Sequence, residues 1–117
     1  MRAKIVNALR KVWSFHSSAR KYIKHEARRE VTLFKKDGTV SARIGVRYLC
    51  AHCKEVVDKI HIDHIEPVGS QPPWPPTGDG EWDKYLAGLF CDETNLQALC
   101  VDCHKIKTRE EHRAGVY

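Results

Sequence analysis

Two Cys-x-x-Cys pairs, Cys50–Cys53 and Cys100–Cys103, are the clearest chemical pattern in the chain. Thiolates are soft donors, and zinc takes four of them in a tetrahedron, so each pair supplies half of a closed site. Together they predict one structural Zn²⁺, with no position left open for catalysis. The pairs are far apart in sequence, so binding of that ion should contribute strongly to folding. The fifth cysteine, Cys91, reads as a packed thiol.

A second group of residues has different chemistry. Asp63-His64 closes the alternating segment Lys59–His64, and His104 follows Cys103 directly. Adjacent residues on a strand point to opposite sides. Asp63 can therefore turn toward a metal while His64 turns toward a substrate, or the reverse if the strand bends. An Asp-His dipeptide alone is usually a pair of solvated side chains, and it gains meaning only from the residues around it.

The elements that must position these residues follow from periodicity. Residues 3–15 place Ile5, Val6, Leu9, Val12 and Trp13 at helical spacing. Ser17 and Ser18 then offer an N-cap for a second helix running to about Arg29. Its apolar side is thin (Ala19, Tyr22, Ile23, Ala27), while Arg20, Lys21, Lys24, Arg28 and Arg29 line the rest. Such a helix is expected to lie along DNA phosphates more than in a core. Val31–Lys36 reads as a strand, Asp37-Gly38 as a turn, and Val40–Tyr48 as the return strand. That hairpin is expected to pack on the core by its apolar face, with Arg43 and Arg47 on the polar face. A loop rich in Pro and Gly covers 69–80, and Glu81–Phe90 reads as a short helix. Asn95–Cys100 is a strand, and Asp102–His112 a helix whose exposed side carries Lys105, Lys107, Arg109 and Arg113.

Charge divides the chain unevenly. Residues 1–49 hold thirteen Lys and Arg against three acids, or +10, and residues 50–117 hold seven against twelve, or −5. This split predicts a basic half, 1–49, that meets a polyanion and packs on a zinc-stabilised core, 50–117. The 117 residues suit one compact unit with no membrane-spanning segment and no export leader, so a cytoplasmic location is expected.

Taken in order, Cys50–Cys53, Asp63-His64-Ile65 with Pro67, and Asn95–Thr108 (NLQALCVDCHKIKT) resemble the zinc-containing branch of the HNH endonucleases. Trp82–Cys91 is similar to the small phage-encoded members found near DNA-packaging genes, and the resemblance spans roughly residues 48–109. It implies an α+β fold: a ββα-metal (His-Me finger) core with the four-cysteine structural zinc site, preceded by the basic N-terminal helices and the β-hairpin. Lys59–His64, Asn95–Cys100 and Asp102–His112 would be its two strands and helix. The resemblance also implies an enzyme, a DNA endonuclease hydrolysing phosphodiester bonds to 5′-phosphate and 3′-hydroxyl ends. Carried over, His64 is the general base, Asp63 and His104 hold one catalytic Mg²⁺ or Mn²⁺, and Asn95 orients the loop that carries His64. Double-stranded DNA is the implied partner, contacted by Arg20, Lys21, Lys24, Arg28, Arg29, Arg43, Arg47, Lys105 and Lys107. Phage packaging proteins are further candidate partners, and a phage-encoded protein would act in the host cytoplasm.

One position departs from the pattern. Colicin-type relatives carry a further histidine ligand one turn after the last HNH histidine, where this chain has Thr108 beside Lys107. A two-ligand site should hold its metal weakly. His52 and His61 are expected at the surface or behind the ligands. The competing reading is a non-catalytic, zinc-stabilised DNA-binding module. It accounts for the cysteines and the basic half, but gives no reason for Asp63, His64, Asn95 and His104 to occur together.

Overall fold

The computed structural model describes residues 1–115. The chain is α+β, with helices and two small antiparallel sheets. In order it forms α1 (Arg2–His16), α2 (Ser18–Ala27), β1 (Arg28–Phe34), β2 (Val40–Leu49), β3 (Val56–Val57), β4 (Ile60–His64), α3 (Glu81–Leu89), a 3₁₀ turn (Glu93–Asn95), β5 (Leu96–Cys100) and α4 (Val101–Arg113). Strands β1, β2 and β3 make one sheet, and β4 with β5 the other. Among the described residues no helix is long and apolar enough to cross a membrane.

Ser17 separates the first two helices. Its backbone is extended, and its hydroxyl oxygen accepts from the Arg20 N–H at 3.1 Å, which caps α2. Helix α2 stops at Ala27, earlier than its composition suggests, and Arg28 and Arg29 open β1. Strand pairing overrides local propensity here: Arg28 lies opposite Tyr48 and Arg29 opposite Arg47. The β1–β2 turn is built as the sequence implies. Gly38 has φ +85°, and the Asp37 carboxylate accepts from the Thr39 N–H and hydroxyl at 2.9 and 2.7 Å.

The core lies under the β4–β5 hairpin. Ile62, Leu96 and Ala98 pack with Ala27, and Trp13, Ala19 and Ile23 join them from the first two helices. A second cluster joins Val6 of α1 to Tyr85 and Leu89 of α3, with Trp13 again at its edge. Helix α2 thus packs its narrow apolar side on the core, more than its composition suggests, while Lys21, Lys24 and His25 stay exposed. Small side chains such as Ala19 and Ala27 let its backbone approach the sheet, so a thin stripe suffices.

The hairpin departs from expectation in the other direction. Tyr48, at its base, packs against the core, but Phe34, Val40 and Ile44 near its tip are 67%, 62% and 66% exposed. The distal half projects as a two-stranded arm. The molecule measures 63 × 30 × 25 Å, with a radius of gyration of 17.7 Å. A compact chain of this length would have about 13 Å.

Candidate metal centre and active site

Strand β2 runs directly into the first knuckle. The Cys50 N–H donates to Glu55 O at 2.9 Å and Lys54 N–H to Cys50 O at 3.1 Å, with Lys54 in the left-handed region at φ 63°. Ala51 N–H donates to Ala98 O at 2.8 Å, which ties this knuckle to β5. The second knuckle is the junction of β5 and α4, where Cys100 sulfur accepts from the Cys103 N–H at 3.4 Å. All four sulfurs lie within 4.8 Å of one another, and Cys53 and Cys100 are 3.9 Å apart. A tetrahedral zinc with bonds of about 2.3 Å needs sulfurs about 3.8 Å apart. The cluster can hold one structural metal ion such as zinc. His52 stands behind it, its Nδ1 3.6 Å from Cys103 sulfur.

Without the ion, the thiols divide sharply. Burial raises the Cys50 thiol, but N–H groups of Cys100, Cys53 and His52 outweigh it and bring the thiol down to about 6. Cys103 is pushed up to about 12, first by its hydrogen bond with Cys100, then by burial and the crowding of Cys50 and Cys53. Four sulfurs this close cannot all ionise unless a cation takes up their charge. Cys91 lies outside the cluster, packs against the core below β5, and is raised by burial.

The second group converges at the end of the β4–β5 hairpin. The register sets Asp63 opposite Gln97 and His64 opposite Leu96. The Asp63 carboxylate turns toward α4: Oδ1 is 3.7 Å from His104 Nε2, and Oδ2 accepts from Lys107 Nζ at 3.0 Å and Gln97 Nε2 at 3.3 Å. His64 turns the other way, toward α1 and α3. Its Nε2 is 2.9 Å from Leu89 O, and its ring lies 4.9 Å from that of Trp13, tilted by 32°. A carbonyl only accepts, so Nε2 carries the proton in the neutral ring and Nδ1 keeps the lone pair.

Asn95 sits in the 3₁₀ turn and grips the chain just beyond His64. Its Oδ1 accepts from Glu66 N–H at 2.8 Å and its Nδ2 donates to Glu66 O at 3.2 Å, while Ile65 N–H donates to Asn95 O at 2.8 Å. Three hydrogen bonds thus hold the segment following His64. His61, two residues before Asp63 and on the same face of β4, stacks on His104 with ring centroids 4.8 Å apart. Burial lowers the His61 pKa, and nearby His104 and Arg20 add to the shift.

Asp63, His64 and His104 all border one open cavity of about 350 Å³, which Arg10, Trp13 and Ser14 of α1 also line. Periodicity marks Trp13 only as part of a helix's apolar face, and it does not single out Arg10 or Ser14. No local signal ties residues 10–14 to residue 64, because the contact is made by tertiary packing. Asp63 Oδ1 and His104 Nε2, one carboxylate oxygen and one imidazole nitrogen, are 3.7 Å apart, and both residues line this cavity.

The basic residues are placed unevenly. Lys21, Arg43 and Lys105 are exposed. Arg20 donates to Ser14 O at 3.1 Å and lies over the Trp13 ring, Lys24 lies over Tyr48, and Arg28 pairs with Glu30 at 3.1 Å. Arg29 and Arg47 donate to nearby backbone carbonyls. Lys107 is the exception to its expected surface position. Its ammonium is shared among Asp63, Glu111 and the His64 carbonyl, the last at 2.9 Å. Burial disfavours that charge, but Glu111 and Asp63 outweigh it and raise the Lys107 pKa. Lys107, and not Thr108, is therefore the residue that reaches the Asp63 carboxylate. Comparison with known proteins returned no family model, no curated protein and no solved structure that matches this chain.

Proposed function

We propose that the protein is a metal-dependent DNA endonuclease of the HNH type, with β4, β5 and α4 as a ββα-metal core. The observation that carries this reading is the arrangement around one cavity of a histidine with Nδ1 free and a carboxylate–imidazole pair. In this reading Asp63 and His104 hold a divalent ion, Mg²⁺ or Mn²⁺. When bound, the ion supplies neutralising charge at the phosphate and at the departing 3′ oxygen.

The chain's own residues carry the other steps. His64 Nδ1 takes a proton from a water molecule as the water oxygen bonds to phosphorus and the bond to the 3′ oxygen breaks, and the departing 3′ oxygen takes a proton from solvent. Leu89 O holds the opposite nitrogen and steadies the imidazolium that forms. Asn95 fixes the backbone at Glu66 and so the exit of β4. The +10 charge of residues 1–49 supplies the attraction to DNA that the −5 remainder cannot.

One observation favours the second reading, a zinc-stabilised DNA-binding module without catalysis. The Lys107 ammonium already neutralises Asp63 at 3.0 Å, where it competes with a divalent ion. Plasmid nicking separates the two. The nuclease reading expects cleavage with Mg²⁺ or Mn²⁺, none with EDTA, and a loss of about 10²–10⁴-fold in His64→Ala at unchanged zinc content. Equal cleavage by wild type and His64→Ala removes the assigned base. DNA binding without cleavage under any metal establishes the module.

A further inference from the structure

We infer that Trp13 is a positioning residue for His64, so that the N-terminal helix is a working part of the site and not only a DNA-binding element. The inference rests on the nuclease reading for its catalytic consequence, and on geometry alone for its structural one. A histidine ring has a broad χ2 preference, and one hydrogen bond fixes the direction of one nitrogen without fixing the ring plane. Among the described residues the His64 ring has that one bond, Nε2 to Leu89 O at 2.9 Å. The second constraint is the Trp13 indole, with its centroid 4.9 Å away at 32°. A carbonyl on one side and a flat aromatic surface on the other leave a single orientation for Nδ1.

Trp13 is itself held well enough to serve this purpose. It packs against two of the core clusters, the one that holds Ile62 and Leu96 and the one that holds Val6 and Leu89. The Arg20 guanidinium lies 5.5 Å from its ring centroid and is anchored by the 3.1 Å bond to Ser14 O. The buried Trp13 Nε1 has no hydrogen-bond partner among the described residues. Burying an indole N–H unsatisfied is unfavourable, and Phe would fill an apolar helix face without that cost. A flat ring of this size at this place has a use if it serves the ring it faces.

The test compares Trp13→Phe with Trp13→Leu in the full-length zinc-loaded protein, with zinc content and thermal melting as checks on folding. The first readout is the His64 tautomer at pH 7.5 by long-range ¹H–¹⁵N NMR, assigned by its absence in His64→Asn. Wild type and Trp13→Phe are expected to show one tautomer protonated at Nε2, and Trp13→Leu averaged shifts. The second readout is DNA cleavage. Trp13→Leu should lose about 10–100-fold in kcat with little change in KM, and Trp13→Phe should recover most of it. A wild-type tautomer in Trp13→Leu overturns the inference, as does a Trp13→Phe kcat as low as that of Trp13→Leu. If the wild-type protein fails to cleave DNA whichever metal is supplied, the nuclease reading falls, and the tautomer measurement still decides whether Trp13 orients His64.

Discussion

Cys103 and His104 are neighbours on the first turn of α4, and they belong to sites of opposite construction. The cysteine site draws four like donors from two tight knuckles, all within 4.8 Å, with Cys50 and Cys100 buried. The site at His104 draws a carboxylate and an imidazole 3.7 Å apart, at the edge of an open cavity, with a lysine already on the carboxylate. One set is saturated and closes the fold. The other offers two unlike donors beside open space. A single helix start positions both, so rigidity at the first can set geometry at the second.

The largest effect that separates them should come from Cys100→Ser. Structural zinc in small domains contributes about 10–16 kcal/mol, which is comparable to or larger than a typical domain stability of about 5–15 kcal/mol. The variant is expected to lose the metal and its cooperative unfolding transition, as followed by circular dichroism and zinc release. The His64→Ala and Trp13→Leu variants should keep both. A Cys100→Ser protein that binds one zinc and melts within a few degrees of wild type would contradict a closed four-sulfur site.

Proton release sharpens the same contrast. Cys53 and Cys103 are both raised above the ordinary thiol value, Cys103 to about 12, so both are protonated in the metal-free protein at pH 7.5. Zinc must displace those protons, at least two per ion. Calorimetry in buffers of different ionisation enthalpy measures the number. Affinity should fall as pH is lowered, and more steeply once the pH passes below about 6, where Cys50 also takes up a proton.

The smallest expected effect lies at the second site. Lys107→Met removes a positive charge 3.0 Å from Asp63 Oδ2. A charge at that range, near water, is worth about 1 kcal/mol, so Mn²⁺ should bind about fivefold more tightly by titration calorimetry. Weaker binding would mean that Lys107 holds Asp63 in place more than it competes with the ion.

Much of the fold is legible along the chain because its signals are local. The Asp37-Gly38 turn, the alternation of β2 and the run from Leu96 through α4 each depend on residues within one element. The end of α2 was not legible, because Arg28 and Arg29 suit a helix until Tyr48 and Arg47 pair with them. The exposed tip of the hairpin was not legible either. Alternation marks which face is apolar, but not whether anything lies against it, and Phe34 and Ile44 stay 67% and 66% exposed.

The sites divide along the same line. The sequence by itself determined the four-cysteine site, since spacing and donor type specify that chemistry whatever the intervening path. It also named Asp63, His64, Asn95 and His104. Only the tertiary structure decided that Asp63 and His64, on opposite faces of their strand, still border one cavity, and that Lys107 turns inward. It alone set Trp13 against the histidine. Those outcomes depend on how α1 and α3 pack on the β4–β5 hairpin, and packing between distant elements leaves no periodic trace in either one.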